Sequence, residues 1–292
     1  MKIFKLYILL SVFAFLIAPG CKKDPKPKEE PPKTGTREEL TKDSIFLYAK
    51  ETYLWNKSLP GYDEFAPRSF PSFSAEVNEL SDYQPLDKYS FIDDGSVSSE
   101  LGGVSTGDYG FFVGFNDGNP LDLRFTYVYR NSPAFAAGIK RGYQIIKLNG
   151  VTDLDGRKQT AIDHINEALF GSDESISLTV RKFDGSTQDV TITRGVYAID
   201  PILHSEVYTV GSKKVGYFVL NSFVRISEGT SAQIFKAKLD ALFADFQTQN
   251  ISELIVDLRY NGGGSVETAD YLVNYMAPLG ASGLMHVDYY ND

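Results

Sequence analysis

Apolar positions along the chain change their period twice, and each change predicts a different kind of structure. Near the start the spacing is helical. Thr36-Arg37-Glu38-Glu39 fits a capping box, and Leu40, Leu47, Tyr48, Leu54 and Trp55 recur at helical intervals. A second helix is expected over 73–80, with Pro60, Gly61, Pro67 and Pro71 punctuating the stretch between. Over 101–195 the period shortens to two. Leu123, Phe125, Tyr127 and Tyr129 alternate with Asp122, Arg124, Thr126 and Val128, which predicts a strand over 121–130 with one buried face. Ile176, Leu178 and Val180 repeat the pattern, and Asp184-Gly185 predicts a hairpin into a strand over 188–193. One helix, 157–170, lies among these strands.

After 195 the pattern becomes strand, helix, strand, helix. A strand is expected over 214–220. A helix over 230–249 carries Ile234, Phe235, Leu239, Leu242, Phe243 and Phe246 as its apolar stripe. Residues 253–258 read as a strand buried on both faces, and a helix begins near Val266. Such an alternation predicts a parallel sheet. Between the last strand and helix runs Asp257-Leu258-Arg259-Tyr260-Asn261-Gly262-Gly263-Gly264. A glycine turn that opens a helix can point backbone N–H groups at a negative charge.

Composition narrows the function classes. The chain has 292 residues, with a formal net charge of −9 and a pI near 5.0, which argues against a nucleic-acid partner. Cys21 is the single cysteine, so no intrachain disulfide forms. His164, His204 and His286 are scattered, and neither a zinc-type spacing nor any cofactor motif is present. No metal and no cofactor are expected.

The first twenty residues read as a signal peptide. Lys2 and Lys5 precede an apolar stretch over 6–18, too short to span a bilayer comfortably. Its end at Gly20-Cys21 resembles a bacterial lipobox, although Ala18 and Pro19 depart from the usual residues. The resemblance implies lipidation of Cys21, export, and attachment to the cell-envelope membrane. Residues 21–36, rich in Pro, Lys and Glu, are expected to form an extended tether.

Asn131-Ser132-Pro133-Ala134-Phe135-Ala136-Ala137-Gly138-Ile139-Lys140-Arg141-Gly142 and Ile145-Ile146-Lys147-Leu148-Asn149-Gly150 resemble the signature of a protease-type PDZ domain. Tyr143 stands where Asp is usual. PDZ domains add a peptide as a strand to a sheet edge and capture its C-terminal carboxylate on backbone N–H groups. Tyr109, Gly110, Phe111, Phe112, Val113, Gly114 and Phe115 are the candidates for that edge. Alternating aromatics can also simply fill a core, and both roles are compatible.

Tyr53-Leu54-Trp55-Asn56 and Asp87-Lys88-Tyr89-Ser90-Phe91-Ile92 precede the PDZ signature, while Val215-Gly216-Tyr217-Phe218 and the glycine run come after it. In this order they resemble the tail-specific, or C-terminal-processing, serine proteases, over roughly residues 40–292. The resemblance implies a multidomain α+β chain. It would have an N-terminal helical domain (37–100), a PDZ-like domain (101–195) and the first part of a ClpP/crotonase-like α/β protease core (196–292). It also implies polypeptide substrates, a serine nucleophile with a lysine base, and an oxyanion donor at Gly263 or Gly264. Asp257 and Arg259 are expected to shape the loop.

The family places its nucleophile and base well beyond the glycine run, and no Lys or Arg occurs after Arg259 here. Ser265 and Ser282 are therefore read as structural. The expectation is a truncated or partial protease, inactive by itself, whose sheet keeps an unpaired edge. Two readings stand beside each other: a serine endopeptidase, and a lipid-anchored PDZ protein that binds peptides without cutting them. A phosphate or nucleotide site at the glycines is the weaker third, because no Gly-Lys-Ser/Thr is present there and Asp257 and Glu267 lie close by.

Overall fold

The computed structural model describes residues 32–291 apart from Glu228 and Leu279. The expected signal peptide and residues 21–31 of the tether, Cys21 among them, lie outside the described residues. The chain divides into two compact units, one running to Ile92 and including the stretch from Met285 on, the other comprising Asp93–Leu284. No helix among the described residues is long and apolar enough to cross a membrane.

The first unit is helical. Helix α1 (Arg37–Thr52) starts at the expected capping box: Thr36 Oγ1 accepts from the Glu39 N–H, and the Glu39 carboxylate accepts from the Thr36 N–H. Helices α2 (Tyr62–Phe65) and α3 (Phe73–Asp82) come next. Phe46, Leu59, Phe65 and Leu80 make the core, with the Phe46 and Phe65 rings stacked at 4.8 Å. The predicted stripe on α1 is not the buried one. Leu40, Leu47 and Tyr48 are exposed, and Leu54 and Trp55 lie past the helix end, whereas Lys42, Asp43 and Phe46 are buried. The reason is a polar network that apolar periodicity does not register. Asp43 accepts from the Tyr62 hydroxyl at 2.6 Å and from Arg68 Nη2 at 2.6 Å, and Lys42 Nζ donates to the Phe70 carbonyl at 2.7 Å. Polar groups bonded this fully can be buried.

The second unit opens with helix α4 (Ser96–Leu101) and holds two sheets. In the first, β1 (Phe111–Asn116), β2 (Asn119–Val128), β3 (Gln144–Leu148), β4 (Ser175–Arg181) and β5 (Thr187–Thr193) lie in chain order and are all antiparallel. The short helix α5 (Pro133–Ala136) is capped by Ser132 Oγ, and helix α6 (Gln159–Phe170) sends Ile165 and Ala168 into the sheet's core. Leu123, Phe125, Ile176, Leu178 and Val180 are buried as their alternation requires. Tyr127 and Tyr129 are only half-buried, and Asp122 is buried with Arg124 on its carboxylate. Gly185, at φ +82°, makes the expected β4–β5 turn with Asp184 bonded to Ser186.

The second sheet has the order β6 (Ile202–Val210), β7 (Lys213–Leu220), β8 (Glu253–Asp257). Helix α7 (Gly229–Thr248) carries the chain from β7 to its parallel neighbour β8, as the pattern requires. The sheet is nonetheless mixed. Strand β6 was not anticipated, and it pairs antiparallel with β7 through a turn at Gly211-Ser212. Helix α8 (Val266–Met276) closes the described elements. Phe218, Leu220, Phe235, Leu239, Phe243, Phe246 and Leu272 form this core.

Two expectations fail here. Ile234 is 52% exposed, so it lies off the α7 stripe. Strand β8 is covered on one face only: Leu254 and Val256 pack on the core while Ile255 is 51% exposed. Residues 284–290 are irregular and join no sheet. Each error comes from judging burial by residue type, when burial depends on what lies opposite. On its far side β8 has no strand among the described residues.

Candidate active site and peptide-binding edge

Strand β8 ends at Asp257, whose nearly buried carboxylate organises the loop leading to the glycines. It accepts from Arg259 Nε and Nη2, from the Arg259 N–H, and from the Tyr217 hydroxyl at 2.7 Å. These bonds, Arg259 foremost, hold the carboxyl well below the usual carboxylate range. Both carboxylate oxygens are engaged, so Asp257 and Arg259 bend the chain out of the strand.

The glycines then run beside the segment that leaves β7. The Phe223 N–H donates to the Gly263 carbonyl at 2.9 Å, and the Ser265 N–H donates to the Phe223 carbonyl at 2.7 Å. Gly262 N–H donates to the Asn221 carbonyl, Gly263 N–H to Asn261 Oδ1 at 2.8 Å, and Asn261 Nδ2 to the Leu220 carbonyl. Phe223 and Gly264 thus form a parallel bridge. In such a bridge the N–H of the central residue points to the opposite side. The N–H groups of Gly262, Gly263 and Ser265 are therefore spent within the protein, and the Gly264 N–H faces away from Phe223. Glycine is required at 264, because a Cβ there would lie 2.4 Å from the Phe223 carbonyl oxygen and φ is +136°. At Gly263 a Cβ would meet open space, and only its φ of +103° calls for glycine.

The spending of these donors also bears on the anion-loop reading. A phosphate cradle needs several convergent N–H groups, and here Gly262, Gly263 and Ser265 point theirs at internal acceptors. Ser265 precedes α8 without a side-chain capping bond, and Ser282 is exposed on an irregular stretch. No base is hydrogen-bonded to either hydroxyl among the described residues. No group of His, Cys, Asp and Glu able to hold a metal occurs among the described residues.

The glycine loop is tied to the five-stranded sheet at two points. Arg141 Nη2 donates to the Tyr260 hydroxyl at 2.9 Å with its guanidinium 5.5 Å from the ring centroid, and Tyr127 packs against the same ring. Asn221 Nδ2 donates to the Tyr129 hydroxyl at 2.6 Å. Sequence reasoning missed Tyr260, Asn221, Asn261 and Phe223 as parts of this arrangement. Their partners lie about 40 to 120 positions away, so local pattern carries no sign of them.

The peptide-edge candidates fall on one element. Phe111, Phe112, Val113, Gly114 and Phe115 belong to β1, which pairs with β2 on one side only. Val113 is buried and Phe111 and Phe115 pack on the core, while Phe112 turns outward and stacks on Tyr127. Tyr109 and Gly110 precede the strand and are buried. The Tyr109 hydroxyl donates to the Asp173 carbonyl, and a Cβ on Gly110 would overlap the Ser132 side chain.

Residues 214–290 match peptidase family S41. Among solved structures the chain is similar to a Bacteroides fragilis protein classed with the S41 proteases, at 23% identity and a TM-score of 0.51, over 84% of this chain and 59% of that one. It also aligns with a photosystem II D1 C-terminal processing protease at 15% identity and a TM-score of 0.36, over 80% of this chain and 64% of that one. The chain thus spans about three fifths of the length of either protein. The first similarity shows a shared fold, a multidomain α+β architecture with a helical region, a PDZ-like sheet and an α/β segment. The match to peptidase family S41 thus covers residues 214–290, and over the rest of the chain the likeness is one of fold.

Proposed function

We propose that this chain serves a serine endopeptidase of the tail-specific class that acts on exported polypeptides. The observation that carries the reading is the Gly264 N–H, turned away from Phe223 at the foot of α8 by the parallel bridge. A donor held rigidly in that way costs no reorganisation when an oxyanion forms at a cut peptide. Gly264 is accordingly the oxyanion donor, and Gly263, whose N–H is bound by Asn261, sets its direction. Strand β1 takes up the substrate tail by strand addition along its open edge. The nucleophile is a serine and its base a lysine, as the family resemblance implies. Cys21 carries a lipid that holds the protein to the cell envelope.

A second reading is binding without cleavage, favoured by the absence of a hydrogen-bonded base at Ser265 or Ser282 among the described residues. Incubation of the 292-residue chain with an unstructured protein separates the two. Serine-dependent cleavage well above that of a Gly263/Gly264 double variant supports the peptidase and sinks the binding-only reading. Cleavage equal in the two proteins removes the peptidase reading for this chain. The anchor is tested by Cys21→Ser, which should release the protein from membranes; full retention there overturns it.

A further inference from the structure

A cavity of about 590 Å³ opens at the head of β1, where the chain enters the strand from Gly107 and Asp108. One side of it is aromatic, built from Tyr109, Phe112, Tyr127, Tyr129 and Tyr197. The Tyr127 ring packs edge-on to Tyr129 at 5.2 Å and stacks on Phe112 at 5.9 Å, so these walls support one another. Phe170, at the end of α6, is 68% exposed at the rim.

Charge in the cavity is unbalanced. Asp94, Glu100 and Asp108 line it, and Arg194 is the one cationic side chain among the lining residues. Arg194 is largely committed elsewhere: Nε donates to the Asp173 carbonyl, Nη2 to the Gly171 carbonyl at 2.6 Å, and the guanidinium lies 4.8 Å from the Tyr109 ring centroid. Asp108 accepts from the Tyr197 hydroxyl at 2.8 Å, and Asp94 accepts from the Ser96 N–H. The Glu100 carboxylate has no hydrogen bond or ion pair among the described residues. Desolvation raises the pKa of Glu100 and of Asp108, and at Glu100 the neighbouring Asp108 adds to it. Glu100 therefore lacks a countercharge, which a ligand could supply.

Aromatic faces and an uncompensated carboxylate both attract a cation. The cavity has room for one long side chain and adjoins the open edge of β1. We propose that it selects a lysine or arginine side chain on the polypeptide added to β1, and so sets the basic-residue preference of this chain. The inference rests on strand addition at β1 and goes beyond it in naming the side chain recognised.

Fluorescence anisotropy tests it. A labelled decapeptide of Ser, Val and Ala carries one Lys, moved through each position in turn, and a matched series carries Glu instead. The expected result is one position at which Lys binds about tenfold more tightly than Glu. An Asp94→Asn/Glu100→Gln variant should narrow that ratio to about threefold or less, and raised salt should narrow it further. Measurable binding with no Lys preference at any position, or a ratio unchanged in the variant, overturns the cavity inference and leaves strand addition standing. Failure of every peptide to bind overturns strand addition at β1, and the inference with it.

Discussion

The Arg141 guanidinium donates to the Tyr260 hydroxyl at 2.9 Å, which bonds a side chain of the PDZ-like sheet directly to the glycine loop. The same guanidinium lies 5.5 Å from the Tyr260 ring centroid. Exposed cation–π pairs are worth about 0.5–1 kcal/mol. A double-mutant cycle with Arg141→Ala and Tyr260→Ala should return a coupling of that size. Hydrogen exchange at residues 260–264 should speed up in either single variant. Additive effects with no coupling would mean that the contact does not hold the loop.

Gly263 and Gly264 should respond unequally to alanine. At Gly264 the new Cβ meets the Phe223 carbonyl oxygen, so the bridge must break as well as the backbone strain; about 2–4 kcal/mol of stability should be lost. At Gly263 the space is open, and the cost is the positive φ alone, about 1–2 kcal/mol. Urea unfolding of the two variants side by side measures the order, and the reverse order would contradict the bridge.

Asp257 predicts an acid dependence. Its folded pKa is depressed, chiefly by Arg259, so the stabilisation is fully present above the unfolded value near 3.8 and is lost as pH falls through the folded pKa. Asp257→Asn should remove about 1–3 kcal/mol at pH 7. Urea midpoints at pH 7 and pH 3 should differ less in this variant than in the parent.

Glu76 predicts the opposite slope in the helical unit. It is fully buried, neither carboxyl oxygen has a partner, and desolvation pushes its pKa up to about 8. The folded state therefore holds a proton that the unfolded state releases near 4.5. Stability is greatest below that value, falls as pH rises towards 8, and levels off above it, by roughly 1 kcal/mol per pH unit inside the window. Glu76→Gln, which cannot ionise, should unfold later than the parent at pH 8 and show a flat profile between pH 5 and 8. A parallel decline in both proteins would refute the assignment.

Much of the architecture was legible in the chain because it rests on local chemistry. The capping box at Thr36 and Glu39, the two-residue alternation in β4, the Asp184-Gly185 turn and the apolar stripe of α7 each depend on neighbours within a few positions. The glycine run was enough to point to the S41 likeness that residues 214–290 carry. What misled was burial. Leu40, Leu47, Ile234 and Ile255 have the composition of a core yet face outward, while Lys42 and Asp43 are covered.

By itself, then, the sequence determined most of the segments that become strands and helices, β6 excepted, because backbone propensity and side-chain period are short-range properties. Only the tertiary structure decided which glycine keeps a free-facing N–H. That choice depends on Phe223, some 40 positions earlier in the chain, whose N–H and C=O take the places on either side of Gly264. It likewise decided that Tyr260 is bonded to Arg141, and that three carboxylates share an aromatic cavity at the head of β1. A hydrogen bond between distant residues leaves no period in the chain that forms it, and becomes visible only once the sheets are assembled.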